Sequence, residues 1–312
     1  IFMTTKLTRR SKREKSKFKK YILGFIALLF VGIVAWGGMN YYSFQKALDK
    51  MNDSKDEQLK ASAKEIDVEP FSVLLLGIDE RANDNGRTDT MIVATVNPDL
   101  GTIKMLSIPR DSRVEIVGNN TVEKINHAYA RGGVAMSIDT VENLLSIPID
   151  YYVAVNMEGF LSVIDKVGGI EVMNDMDLAH GGYSFPQGEI KLSGEEALIF
   201  SRIRYEDPRG DFGRQMRQKL ILEALLKEAK DPEIIFQLGD IMKVLGDNIR
   251  MNFTVSELKD FSSLYKKLNN EIDLMQFENG VGQTIGKYWY YILDEQEVSD
   301  ISQELNTHLG NN

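Results

Sequence analysis

Residues 21–42, YILGFIALLFVGIVAWGGMNYY, form an unbroken run of 22 side chains without a formal charge. Coiled as a helix, such a run is about 33 Å long, enough to cross the hydrocarbon layer of a bilayer. The preceding residues 1–20 hold nine lysines and arginines against Glu14 alone, which orients the amino terminus toward the cytoplasm. Trp36, Tyr41 and Tyr42 sit at the far end of the run, where amphipathic rings favour the membrane interface. A signal peptide cleaved near Ala35-Trp36-Gly37 is the alternative; the apolar stretch exceeds a usual signal core, which favours a retained anchor. The expected organisation is a basic cytoplasmic tail (1–20), a transmembrane helix (21–42), a stalk or linker (43–69) and an extracytoplasmic domain (70–312) on the outer face of the cell membrane.

With +8 on the first 20 residues and −9 on the whole chain, the remainder carries −17. An acidic body of this kind argues against nucleic acid as a partner. Cysteine is absent, which removes disulfides, thiol nucleophiles and thiolate metal sites. Arginine, in contrast, is sorted: of the eleven after residue 42, nine fall within residues 77–113 and 202–217. The guanidinium is a planar, permanently charged fork matched to phosphate oxygens. A phosphate-bearing substrate held between the two segments follows as the first hypothesis.

From residue 71 the apolar pattern changes. FSVLLLG is a continuous run of strand length ending in glycine, as in a strand covered on both faces. Residues 90–96 and 102–108 read as two strands joined by the turn Asn97-Pro98-Asp99-Leu100-Gly101. Residues 135–145 have helical spacing, 151–155 read as a strand, and Gly168-Gly169 turns the chain into another. Residues 175–188 suggest an exposed loop or hairpin. Ser193 followed by Glu196 has the form of a capping box, which starts a helix carrying Ala197, Leu198 and Phe200 inward. A second helix is expected over 214–229, further helices beyond Pro232, a strand near 272–277 and then a polar tail. The fold class is α/β: one domain around a central, mostly buried mixed β-sheet flanked by helices.

Asp79, Arg81, Arg87 and Asp89 follow the first strand, at the carboxyl end where open α/β sheets place ligands. Two carboxylates there suffice for magnesium, which completes its shell with phosphate and water. A solvated loop in which these acids and arginines pair with one another fits the spacing as well. Arg110 and Asp111 end a second strand in SIPRD. Lys124 offers a point charge for phosphate, or a solvated surface group. Arg202 and Arg204 share a face if the chain is extended there and diverge by about 200° if the helix continues through them. Arg214, Arg217 and Gln218, three and four residues apart, are placed together on one side of the following helix, facing the phosphate site. The histidines His127, His180 and His308 follow no zinc spacing and read as structural or exposed. No G-x-S-x-G elbow, Walker A loop or G-x-G-x-x-G fingerprint occurs.

The motifs LLLGIDER, GRTDTM, LSIPRDSRV, EKINHAYARGG, IDYYVAVNMEGF, VGGIEV, LSGEEALIFSRIR and GDFGRQMRQ occur in an order that resembles the LytR-CpsA-Psr family of cell-envelope proteins. The resemblance implies a phosphotransferase that moves a glycopolymer, a teichoic acid or capsular polysaccharide, from a polyprenyl-pyrophosphate carrier to peptidoglycan. By motif position Asp79 and Asp89 would hold magnesium, with manganese as a substitute. Arg81, Arg87, Arg110, Lys124, Arg202, Arg204, Arg214 and Gln218 would line the pyrophosphate site, with Asp211 orienting the arginines. Asp79, Asp89 and Arg110 form the expected catalytic set, and either aspartate is a candidate base. The helix over 216–226 is a candidate lining for the prenyl chain. A lipid-pyrophosphate hydrolase and a non-enzymatic, membrane-anchored wall-polymer binder are the competing readings.

Overall fold

The computed structural model describes residues 69–79, 86–228, 246–254 and 272–311, with five further positions between 255 and 271. The basic tail, the membrane helix, the stalk up to residue 68, Arg81 and the helices expected from Pro232 to residue 245 lie outside the described residues. Among the described residues no helix is long and apolar enough to cross a membrane.

The chain opens with strands β1 (Phe71–Asp79), β2 (Arg87–Asn97) and β3 (Thr102–Ser107), a small hairpin β4 (Arg113–Ile116) and β5 (Thr121–Lys124), and helix α1 (His127–Leu145). Strand β6 (Tyr151–Asn156) and α2 (Met157–Lys166) precede β7 (Ile170–Asn174), β8 (Leu178–His180), β9 (Tyr183–Phe185) and β10 (Gly188–Leu192). Helices α3 (Gly194–Arg202) and α4 (Asp211–Glu228) follow, then β11 (Ile249–Met251), β12 (Ile272–Gln276), β13 (Val281–Ile285), β14 (Tyr288–Ile292) and α5 (Glu295–His308). Six strands form one sheet in the order β11-β6-β1-β2-β3-β12. The β1/β6 and β3/β12 pairs are parallel and the other three antiparallel, so the sheet is mixed, as expected.

The apolar run of β1 serves both faces of this sheet. Leu74, Leu76 and Ile78 pack with Met91 and Val93 of β2 into a core closed by Ile138 and Val141 of α1 and by Ile301 and Leu305 of α5. The alternate residue Leu75, level with Ile92 and Val153 on its neighbours, faces the other way. A second core under that side joins α2, α3, α4 and the strands β7 to β10 through Ile164, Val172, Phe185, Phe200 and Ile221. Helix α3 begins where the capping box predicted: Ser193 N–H donates to Glu196 Oε2 at 2.9 Å and the box closes in both directions.

Two expectations are corrected. Residues beyond 277 are not a polar tail but the β13/β14 hairpin and α5. The hairpin is moored by Tyr291, whose N–H donates to the Asp111 carbonyl at 2.9 Å, and α5, capped by Asp294, packs on the core through Val298, Ile301, Leu305 and Leu309, a helical spacing present in the sequence. Helix α1 starts eight residues before the expected helix, and its first turn is set off by Gly132 and Gly133, the latter at φ 66°, ψ −149°, open only to glycine.

The loop from Ile203 to Gly210 is fixed by one carboxylate. The Asp207 side chain is fully buried and accepts from Arg209 N–H at 2.8 Å, Arg209 Nη2 at 3.0 Å and Arg217 Nη1. Arg217 also donates from Nε to the Phe200 carbonyl at 3.0 Å and from Nη2 to the Ile203 carbonyl, so the end of α3 is stapled to α4. Gly213 is required beside it, because a Cβ there would lie 1.9 Å from Asp207 Oδ2. Burial alone would raise the pKa of Asp207, but the bonds from Arg209 and Arg217 prevail and hold it at about 2 against an ordinary 3.8. A depressed carboxylate stabilises the fold above its ordinary pKa and loses that contribution as pH falls through the folded value. Asp207→Asn should cost about 3–5 kcal/mol at neutral pH. Thermal unfolding should show its deficit against wild type narrowing as pH falls from 3.8 toward 2; a constant deficit would contradict the assignment.

Candidate active site

The carboxyl ends of β1, β3 and β6 and the start of β2 meet at one edge of the sheet, because β1 and β6 are parallel and β2 runs against β1 and β3. A β-bulge marks this edge. Gly77 pairs with Thr90 while Ile78 pairs with Thr88, which leaves Asp89 as the extra residue between them. Bulges bend a strand and re-aim a side chain, and they recur beside active sites. Alternation alone would send Asp89 to the packed face with Met91; the bulge sets it at the rim instead.

Two concavities meet at that rim. One, of about 660 Å³, runs between the sheet and α2, α3 and α4 over apolar side chains including Leu75, Val153, Phe160, Leu198 and Leu222. Arg110, Arg202, Arg204, Arg214 and Gln218 stand around it with Asp79 and Asp89. The second, of about 970 Å³, is polar and takes in Arg87, Asp111 and Lys124. Asp79, Asp89 and Arg110 line both.

Arg110 donates from Nη1 to Asp89 Oδ1, with Asp111 3.8 Å from its Nε. Lys124 Nζ donates to Asp111 Oδ1 at 2.6 Å. Arg214 Nη2 lies 2.6 Å and Arg204 Nε 3.7 Å from Oδ1 of Asp211, the aspartate expected to orient the arginines. Arg202 Nη2 is 3.9 Å from Asp79. The ambiguity over Arg202 and Arg204 is resolved by the helix end: Arg202 is the last residue of α3, Ile203 is extended at ψ 127°, and Arg204 is free to turn inward.

Burial lowers the pKa of Arg214, and the positive charges of Arg110 and Arg204 push it further down against the pull of Asp211 and Asp89. Burial also opposes the charge on Arg110, but Asp89 and Asp111 more than offset it and raise its pKa. The Nε–H groups of Arg110 and Arg214 are buried and have no hydrogen-bond acceptor among the described residues. Crowded guanidiniums with unmet donors are an anion site waiting for oxygen atoms.

Arg217 does not belong to it. The fork is 1% exposed and spent on Asp207 and two carbonyls, so its assignment to the phosphate site is corrected. On a helix it stands about 100° from Gln218, enough to put the two on opposite flanks of Arg214. Arg209, the fifth arginine of that segment, is held by Asp207 and Asp175 in the same supporting role. Sequence reasoning missed Asn126, Tyr288 and Tyr290, which line the polar cleft. The signal for the tyrosines was present as YWYY, four consecutive aromatic residues in an otherwise polar stretch. His308 is structural, buried between Thr95 and Thr102, whereas His180 is exposed, pairs with Glu206 and lines the apolar cavity.

A mixed α/β domain with an apolar cavity opening at a ring of arginines defines a class of protein built to hold an amphiphilic anion. The chain belongs to the LytR_cpsA_psr family, whose model matches residues 38–307. The Bacillus subtilis protein named polyisoprenyl-teichoic acid–peptidoglycan teichoic acid transferase TagU is 42% identical over 306 residues, covering 96% of this chain and 99% of its own. Its Bacillus licheniformis namesake is 43% identical over 310 residues, with the same coverage. The crystal structure of B. subtilis TagU superposes with a TM-score of 0.64 over 77% of this chain and 97% of its own, at 43% identity. A structure described as TagT bound to LI-WTA superposes with a TM-score of 0.68 at 30% identity, over 81% of this chain and 95% of that one.

The two kinds of arginine separate in one experiment. Arg217→Ala should lower the unfolding midpoint, costing about 3–5 kcal/mol, because Asp207 keeps only Arg209 and the buried Phe200 and Ile203 carbonyls lose their donor. Arg204→Ala should change stability by about 0.5 kcal/mol or less yet weaken the binding of inorganic pyrophosphate, read by calorimetry. The reverse pattern would exchange their roles.

Proposed function

We propose that this protein transfers a teichoic-acid-type glycopolymer from a polyprenyl-diphosphate carrier to a hydroxyl of peptidoglycan, leaving a phosphodiester link. The observation that carries the reading is the apolar cavity opening directly onto Arg110, Arg202, Arg204 and Arg214. A prenyl chain fits the first part and a diphosphate the second, and the names of the TagU relatives describe such a donor and acceptor.

In the transfer, the acceptor hydroxyl oxygen forms a bond to the phosphorus that carries the glycan. The bond from that phosphorus to the polyprenyl phosphate breaks, and its electron pair stays on the departing phosphate. The hydroxyl proton passes to a carboxylate at the rim, Asp89 or Asp79. Phosphoryl transfer asks the protein chiefly for positioning and for neutralisation of spreading negative charge. Arg110 and Arg214, each with an unmet buried N–H, supply both. Arg87, Lys124, Arg204 and Gln218 complete the ring, and Arg202 closes the mouth of the cavity.

The acids at the rim fit a hard divalent ion. Asp79 and Asp89 offer oxygen donors alone, and no third acidic or histidine group joins them in a cluster among the described residues. Magnesium takes one or two carboxylates and fills its shell with phosphate and water. Asp79 and Asp89 would hold it, with manganese as a substitute; when bound, it draws negative charge off the diphosphate oxygens. An amino-terminal membrane helix, with this domain on the outer face, would keep the enzyme in the bilayer that holds its donor and raise the effective concentration.

The full-length chain in detergent, given magnesium, a lipid-diphosphate glycan and peptidoglycan fragments, should form the glycan–peptidoglycan conjugate. Release of the glycan to water alone would indicate a hydrolase, and binding without turnover a wall-polymer binder; a capsular-type donor preferred over a teichoic one would change the substrate class. Arg110→Ala and Asp89→Ala should each slow transfer by more than about a hundredfold, and chelation should abolish it until magnesium or manganese is restored. Unchanged rates in both variants would refute the site.

A further inference from the structure

The polar cleft lies on the other side of Asp79, Asp89 and Arg110 from the apolar cavity. Those three are the only lining residues the two concavities share among the described residues. Displacement at phosphorus runs in line, with the attacking and leaving oxygens on opposite sides. If the polyprenyl phosphate leaves toward the apolar cavity, the attacking hydroxyl enters from the polar cleft.

One wall of that cleft is aromatic. Tyr288 and Tyr290 are two residues apart on β14 and so project to the same side, whereas Trp289 between them is not part of the lining. Tyr288 is 55% exposed, with Lys287 Nζ standing 5.3 Å from its ring centroid. The Tyr290 ring is steadied by Lys124 Nζ and Arg113 Cζ, each 5.9 Å from its centroid. The strand itself cannot swing away, because Tyr291 is buried and bonded to Asp111, the neighbour of Arg110. A rigid ring face of this kind matches the C–H face of a pyranose.

The floor adds a second, independent demand. Asn126 lines the cleft, is 6% exposed, and its Oδ1 has no hydrogen-bond donor among the described residues. A buried acceptor left open calls for a ligand N–H or O–H. An acetamido group on the sugar provides an N–H.

We infer that the polar cleft is the acceptor subsite: it seats an N-acetylhexosamine unit of the peptidoglycan glycan, with Tyr288 against the ring face and Asn126 Oδ1 accepting from the acetamido N–H. The inference rests on the transferase reading. Its test is steady-state transfer by the full-length chain, at saturating donor, to a soluble uncrosslinked N-acetylhexosamine glycan. Tyr288→Ala should raise the acceptor KM about tenfold, the size of a single aromatic contact, and leave the donor KM and unfolding midpoint unchanged. Tyr288→Phe should keep the wild-type acceptor KM. In wild type, the same glycan stripped of its acetyl groups should show a several-fold higher KM. A shift in donor KM would assign the cleft to the donor's own glycan and overturn the inference, as would an unaltered acceptor KM in Tyr288→Ala. Equal KM for the acetylated and stripped glycans would overturn the role of Asn126. Failure of wild type to transfer at all would instead sink the parent reading.

Discussion

A buried carboxylate, Asp207, is the interaction on which one whole side of the candidate active site depends. Arg217 can lie in the interior only because its donors are met by that carboxylate and by the Phe200 and Ile203 carbonyls. These bonds stop α3 at Arg202 and turn the chain so that Arg204 and Asp211 come to the rim. With Arg217 committed to the back of α4, Arg214 and Gln218 are left on the flank that faces the cavity. Charge is thus used twice in one short segment, once fully paired in the interior and once under-paired around the cavity.

The sheet imposes a complementary asymmetry. One face is closed by α1 and α5 into a dry core, and the other is held off by α2, α3 and α4, leaving room for an apolar guest. The strand ends then decide polarity: within a few residues β1 passes from Leu74 and Leu76 to Asp79, and β2 from Asp89 to Met91. Apolar and charged surfaces become neighbours because the strands carry them to a common edge. The bulge at Asp89 puts a carboxylate where a regular ladder would have buried it.

Much of this was readable from residue types. The covered strand FSVLLLG, the hairpin over Pro98 to Gly101, the capping box at Ser193 and the gathering of arginine at strand ends all appear where local chemistry placed them. Arg217 was misread because helical spacing narrows a residue to one sector of a helix but does not say which flank packs. The carboxyl-terminal hairpin is held by a partner far away in sequence, Asp111, whereas α5 was legible in the Asp294 cap and in the helical spacing of Val298, Ile301, Leu305 and Leu309.

Composition and order alone determined the class of fold and the two segments in which arginine is gathered, since those follow from side-chain chemistry and short-range periodicity. Only the tertiary structure decided which arginines line the cavity and which support the fold, that Asp89 stands in a bulge, and that Asn126 and Tyr288 share a cleft with Arg110. Those are relations between distant segments, set by which buried donors and acceptors find partners, and no local pattern in the chain encodes them.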